Sequence, residues 1–311
     1  MNEPIIYAIG NPLIDIIINA EDKDLDNLGI DKGVMHLVDE KRQKEIFLYF
    51  NQLKPVYHPG GSAPNTLLAC SALGIPSLIT GKIGNDNFGD IYIKQSQKFG
   101  VIPALVQGQG PTGSSIIIVT PDGERTMNTH LGMCRNFSKN DVDLEKLVKS
   151  KFLYFTGYMW DTESQKTAIK TAINFSKLND IKIIFDVADP FVVKRNKEEF
   201  LEIIKNDIDI VFANRSELAI LFDTEDYNIS ASKLGKIVKI AGIQSSKMTV
   251  IPCCADFSHF TLQTQEQKNL IRRKLKIPSE ALVLGYLGSV GSMYLIEDYY
   301  RLVAVSYTHL T

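Results

Sequence analysis

The sequence predicts a doubly wound α/β fold, a mostly parallel sheet between layers of helices, with a small β-sheet lid at one end. Three observations carry this reading. Short apolar runs rich in Ile, Val and Phe alternate along the chain with stretches of helical period. Those runs lack polar alternation, as strands buried on both faces do. Three other β-rich segments interrupt the alternation and group as a second sheet.

In chain order, "IIYAIG" (5–10), "SLITGKIG" (77–84), "FLYFTG" (152–157), "IKIIFDV" (181–187) and "IDIVFAN" (208–214) are bounded by Gly, Asp or Asn and read as the parallel strands. Between them, "DEKRQKEIFLYFNQL" (39–53), "APNTLLACSALG" (63–74), "NDNFGDIYIKQSQKFG" (85–100), "TESQKTAIKTAINFSKLN" (162–179) and "NKEEFLEIIKN" (196–206) have helical period and polar caps. The lid comprises "LIDIIINA" (13–20), "GVMHLV" (33–38) and "GSSIIIVTPDGERTMNTH" (113–130). A Pro-Asp-Gly turn folds the last of these into a hairpin. A lid over the carboxyl ends of parallel strands closes a ligand cleft.

Composition narrows the function. The 311 residues are 44% hydrophobic with a formal net charge of −2, as in an ordinary soluble globular protein. Without a basic excess, neither nucleic acid nor an anionic membrane is the expected partner. The apolar N-terminal run is broken by Asn11, Pro12 and Asp15, which excludes a signal peptide or a membrane span there. Four scattered cysteines give no disulfide framework, and a cytoplasmic location is expected. The adjacent Cys253 and Cys254 lack a second pair at metal spacing and read as a strand end.

Three motifs carry candidate chemistry. In "HPGGSAPNTLLACSALG" (58–74), Gly60, Gly61 and Ser62 precede a helix whose first turn carries Asn65. Paired glycines let backbone approach a ligand, and an amide both donates to and accepts from hydroxyls. A plain loop before a capped helix explains the same residues. In "IGNPLID" (9–15), Asn11 and Asp15 emerge from apolar β sequence, either as turn residues or as a pair suited to a vicinal diol. In "FANRSELAIL" (212–221), Asn214 and Glu217 lie three apart. They form a helix cap, or a pair that organises water around magnesium near phosphates.

The order "GNPLID", "GGSAPN", "ALG…GKIGNDNFG", "TPDGERTMNTHLG", "GYMWD" and "NRSE" resembles the PfkB/ribokinase-type small-molecule kinases, and within them the adenosine kinase branch. The resemblance spans roughly residues 4–240 and implies a ribokinase-like fold. It implies transfer of the ATP γ-phosphate to a primary hydroxyl of a nucleoside or sugar, with Mg2+. By resemblance, Asp15 accepts from ribose hydroxyls, while Asn65 and the backbone at Gly60, Gly61 and Ser62 complete the sugar pocket, with Asn11 nearby. Arg125 matches a lid arginine that swings toward the transferred phosphate, where a cation stabilises the charge on the equatorial oxygens. Asn214 and Glu217 match the family's Asn-x-x-Glu pair for magnesium and phosphate. A lid built of strands can also pair across a homodimer.

Such kinases carry a late Gly-Ala-Gly-Asp segment that supplies an anion hole and the base. After Asn214 the aspartates are Asp223, Asp226, Asp256 and Asp298, and none follows a glycine turn. Residues 1–243 are therefore expected to be the kinase body, truncated at its C-terminal end and inactive as it stands. Beyond, "KMTVIPCCADFSHF" (247–260), "RRKLKIPSEALVLGYLGSVG" (272–291) and "YLIEDYYRL" (294–302) resemble part of a GT-B glycosyltransferase. Residues 244–303 are expected to be foreign sequence, making the chain a chimera, with 304–311 an unstructured tail. A non-catalytic ribosyl-binding module and a glycosyltransferase are the alternative functions.

Overall fold

A computed structural model of the chain describes residues 3–226 and 229–234. The expectations for residues 244–303 and 304–311 fall outside the described residues.

Among the described residues the main sheet has six strands, all parallel. Its spatial order is β13 (Ile210–Phe212), β12 (Lys182–Asp186), β11 (Phe152–Thr156), β1 (Ile6–Ile9), β5 (Ser77–Thr80) and β7 (Ile102–Pro103). The strand period of two feeds two different cores. Tyr7 and Ile9 of β1, Leu153 and Phe155 of β11, and Ile183 and Phe185 of β12 point one way. They meet α6 (Glu163–Leu178), α7 (Pro190–Asn206) and α8 (Arg215–Phe222). Ala8, Ile79 and Tyr154 point the other way and meet Ala63 and Leu67 of α3 (Ser62–Ala72). This is the doubly wound arrangement expected from the apolar runs.

Among the described residues the lid is a mixed sheet of five strands. Its order is β3 (Met35–Leu37), β10 (Arg125–His130), β9 (Ser114–Val119), β2 (Leu13–Asn19) and β4 (Val56–Gly60). Ile14, Ile16 and Ile18 of β2 and Ile116 and Ile118 of β9 pack into a separate core. That core is filled by Leu25 and Leu28 of α1 (Asp22–Leu28), Ile46 of α2 (Glu40–Tyr49) and Tyr92 of α4 (Asn87–Lys98). Helices thus cover the back of the lid, and the alternate side chains Leu13 and Asp15 turn to its front. A four-residue α5 (Leu144–Leu147) precedes β11.

Three details differ from the expectation. Residues 77–84 are two strands: after β5 the chain turns at Gly81, and β6 (Lys82–Gly84) pairs with β8 (Val106–Gly108) in a ribbon of its own. A Cβ at Gly81 would sit 2.5 Å from the Gly10 carbonyl oxygen, so a close backbone approach breaks the apolar run there. The helix expected over 196–206 starts earlier, at Pro190. Asp189 caps it by accepting from the Phe191 and Val192 amides, and Asn196 interrupts it with φ −124°. Strand β4 carries no apolar run because it ends in Pro59 and Gly60; among the described residues it is an edge strand, where proline is tolerated.

The sole tryptophan, Trp160, lies in a ring cluster with Phe155, Phe185 and Phe200 at centroid distances of 5.9, 6.2 and 5.4 Å. Phe185 is fully buried there. Replacing Phe185 by Ala is expected to cost about 3–5 kcal/mol. Trp160 fluorescence in a urea titration checks this through a lower midpoint; an unmoved midpoint would contradict the packing.

Candidate functional site

Two loops meet where β1 leads into the lid and β4 leads into α3. Gly61 holds φ +99°, and a Cβ on it would sit 2.1 Å from the Asn11 carbonyl oxygen. One loop below, a Cβ on Gly10 would come within 2.7 Å of the Ala63 Cβ. Glycine is required at Gly61 for both reasons, since its conformation is nearly closed to other residues and its neighbour is backbone. The contact brings Asn11 and Asp15 beside the first turn of α3.

The result is a cleft of about 600 Å³ between the main sheet and the front of the lid. Asn11, Asp15, Gly61, Ser62, Asn65 and Arg125 all line it, so six of the expected residues share one cavity. Gly60 does not line it. Instead it stands opposite Leu13 in the β2–β4 pairing, and a Cβ there would lie 2.2 Å from Asp15 Oδ1. Gly60 therefore contributes space for the carboxylate.

Asn214 and Glu217 are outside the cleft lining and form a closed cap on α8. The Asn214 backbone amide donates to Glu217 Oε2 at 2.7 Å, and its side-chain amide donates to Oε1 at 2.6 Å. The Glu217 amide returns a bond to Asn214 Oδ1 at 2.9 Å. Burial pushes the Glu217 carboxyl up to about 7, with the charges of Asp186 and Asp189 adding to the effect. Both carboxylate oxygens are already engaged, so this pair fits contact with a metal through water better than direct ligation. Among the described residues, no group of three or more His, Cys, Asp or Glu is arranged to hold a metal ion.

The front of the lid supplies apolar Leu13, Met35, Leu37, Ile117 and Met127, interrupted by polar Asp15, Ser115 and Thr129. Ser115 and Thr129 share a hydrogen bond of 2.8 Å across β9 and β10. Burial raises the Asp15 carboxyl to about 6, and the positive charge of Arg125 pulls it partly back. The opposite wall carries residues that motif reasoning did not single out: Tyr158, Asp161, Asp189, Phe191 and Arg195. Arg195 pairs with Asp161 at 3.0 Å. Burial raises the Asp161 carboxyl, and Arg195 draws it down. Burial also raises the Tyr158 hydroxyl, and its bond to Asp189 and that group's charge reinforce the shift. Asp189 stands before Pro190, a cap-and-proline pattern that marks a helix start but no chemistry; the sequence expectation, which begins this helix at 196, passes over it.

Residues 40–251 match the family described as pfkB family carbohydrate kinase. The structure of adenosine kinase from Sinorhizobium meliloti is 36% identical, over 76% of this chain and 73% of its own, with a TM-score of 0.69. A probable sugar kinase from Rhizobium etli CFN 42 is 32% identical, over 77% and 73% of the two chains, with a TM-score of 0.70. Adenosine kinase of Dictyostelium discoideum is 28% identical over 247 residues, which is 76% of this chain and 71% of that protein.

Two outcomes follow from the geometry. Gly61→Ala is expected to cost about 1–3 kcal/mol from backbone strain alone, and chemical denaturation measures it. Asp15 is expected to titrate near 6 by carboxyl NMR, and Arg125→Ala to move it higher. Because its folded value is raised, Asp15 favours the folded state most below the ordinary carboxylate range. That contribution is lost as pH rises through about 6. An Asp15 titration below 4 would contradict the described burial.

Proposed function

The chain belongs to the pfkB family of carbohydrate kinases, ATP-using phosphotransferases, and on that premise we propose that its cleft holds a nucleoside by the ribose, with adenosine the first choice. One observation carries this reading. A carboxylate that only accepts (Asp15) and two amides (Asn11, Asn65) converge beside an apolar floor that includes Met35, Leu37 and Met127. Asp15 accepts from ribose hydroxyls, Asn65 and the Gly61–Ser62 backbone hold the sugar, and the apolar floor with Phe191 receives a flat base. The names of the Sinorhizobium and Dictyostelium relatives favour adenosine. No described helix is long and apolar enough to cross a membrane.

Arg125 is assigned to the transferred phosphoryl group, whose spread charge a cation stabilises. Asn214 and Glu217 are assigned to Mg2+ bound with the ATP phosphates, acting through water. When bound, Mg2+ neutralises charge on the phosphate oxygens. The chain's own share of the task is orientation: hydroxyls set by Asp15 and Asn65, and water displaced by the lid.

We also propose that residues 1–311 by themselves transfer phosphate slowly. The segment after Asn214 has no aspartate behind a glycine turn, so no residue named here takes the proton from the attacking hydroxyl. Loss of a general base lowers the rate about 10²–10⁴-fold. The chimeric origin of residues beyond 243 belongs to the same proposal. A second reading, a ribosyl-binding module without turnover, rests on the same cleft. Sugar transfer from a UDP- or GDP-sugar is expected to be nil.

Calorimetric titration with adenosine is expected to saturate, to strengthen as pH rises through about 6 while Asp15 ionises, and to vanish in Asp15→Ala. Turnover of adenosine at the roughly 1–100 per second of ordinary kinases would refute slow transfer. No heat with any nucleoside or sugar would end both ribosyl readings.

A further inference from the structure

Asn11 lines the cleft, and its amide has two ends of opposite character: an oxygen that accepts and a nitrogen that donates. Which end meets the ligand is settled by a residue 154 positions away in the chain. Gln165, in the first turn of α6, is fully buried. Its Nε2 donates to Asn11 Oδ1 at 2.8 Å and to the Cys134 backbone carbonyl at 2.9 Å.

The backbone carbonyl removes the ambiguity. A carbonyl oxygen can only accept, so the atom of Gln165 beside Cys134 must be the nitrogen. The other hydrogen of that nitrogen then needs an acceptor, so the atom of Asn11 facing it must be Oδ1. At the other end of Gln165, Oε1 stands 3.1 Å from the Thr162 hydroxyl, whose single hydrogen serves either Oε1 or the Arg135 carbonyl oxygen at 3.0 Å, so the orientation is set by the Cys134 carbonyl alone. The Gln165 backbone amide also donates to that hydroxyl oxygen at 3.3 Å. With Oδ1 engaged inside the protein, Nδ2 is the end of the Asn11 amide left for the cleft.

We infer that Gln165 is a positioning residue that fixes the polarity of Asn11, so that the cleft offers a pure donor at Asn11 and a pure acceptor at Asp15. This rests on the ribosyl reading of the cleft. A hydroxyl is the ligand group that uses both, giving its hydrogen to the carboxylate while its lone pairs receive the amide. An oxygen that only accepts, or a nitrogen that only donates, satisfies one of them. Reversing the Asn11 amide would line the cleft with acceptors at both Asn11 and Asp15, and a hydroxyl has only one hydrogen to give.

The test is a double-mutant cycle read by calorimetry with adenosine on the full chain. Gln165→Glu cannot donate to Asn11 while ionised and turns the Asn11 amide around; adenosine affinity is expected to fall roughly tenfold or more. Gln165→Met keeps the length without either bond, leaves Asn11 free to take both orientations, and is expected to lose less. In an Asn11→Ala background, Gln165→Glu is expected to change affinity less than about twofold, because nothing remains to orient. A loss that is equal in both backgrounds, or that tracks the melting temperature of the unliganded variants, would make Gln165 a packing residue and overturn the inference. Absence of binding by the unmutated chain overturns the ribosyl reading and this inference with it; binding with an unaffected Gln165→Glu overturns the inference alone. Should Gln165→Glu not fold, 15N spectra of the unmutated chain decide. The Gln165 side-chain amide is expected to resist hydrogen exchange and the Asn11 amide to shift with adenosine. A freely exchanging Gln165 amide would overturn the inference.

Discussion

The cleft exists because backbone lies against backbone. Gly61 approaches the Asn11 carbonyl so closely that no side chain fits between them, and Gly10 approaches Ala63 in the same way. These contacts tie the lid's first strand to the first turn of α3, and every proposed sugar-binding group lies within a few residues of one of them. Gly60 extends the theme, since its missing side chain is the space the Asp15 carboxylate occupies. Recognition here is positioned largely by atoms that are left out. Rigid elements on both sides, a sheet buried on two faces and a lid backed by three helices, keep the gap from drifting.

Electrostatics in the cleft follows from the same geometry. Asp15 on the lid and Asp161 on the opposite wall are both partly withdrawn from water, which raises each carboxyl. Each is offset by an arginine: Arg125 for Asp15 and Arg195 for Asp161. The walls thus set Arg125 against Asp15 and Arg195 against Asp161, while Asp189 stands as a third carboxylate in the lining and leaves it with one more negative group than positive. The Glu217 carboxyl, outside the cleft lining and held in the α8 cap, is raised by burial and by the acids Asp186 and Asp189 at the carboxyl end of β12.

The sequence exposed the parts whose physics is local. Runs such as "IKIIFDV" show two-sided burial by composition, and "TPDGE" shows its hairpin by turn chemistry. The residues Asn11, Asp15, Ser62 and Asn65 stood out because polar groups interrupt apolar sequence or follow glycines. What stayed hidden depends on long-range contact. Gln165 reads as one polar residue in an ordinary helix; only packing against Asn11 and Cys134 gives it a role. Arg195 and Asp161 are 34 residues apart and meet only when α7 folds over β12. Strand β4 was hidden for the opposite reason, since its proline and glycine are loop residues by local rules and strand residues by pairing. Asn214 and Glu217 were legible as a pair, and the structure shows them as a cap while leaving their catalytic part as a proposal.

Pro59 deserves a last look from outside the cleft. It faces Ile14 across β2 and β4, and the Ile14 amide points away, toward Gly113 on the β9 side. In such a pair the groups of the edge residue face outward, so the hydrogen that proline lacks is missing from the outer rim, where the Tyr57 carbonyl accepts from Gln95 Nε2 at 3.4 Å. A stray extended chain approaching that rim finds an interrupted row of donors and gains little by zipping on. The same imino acid that disguised the strand also shields the sheet from unwanted polymer growth.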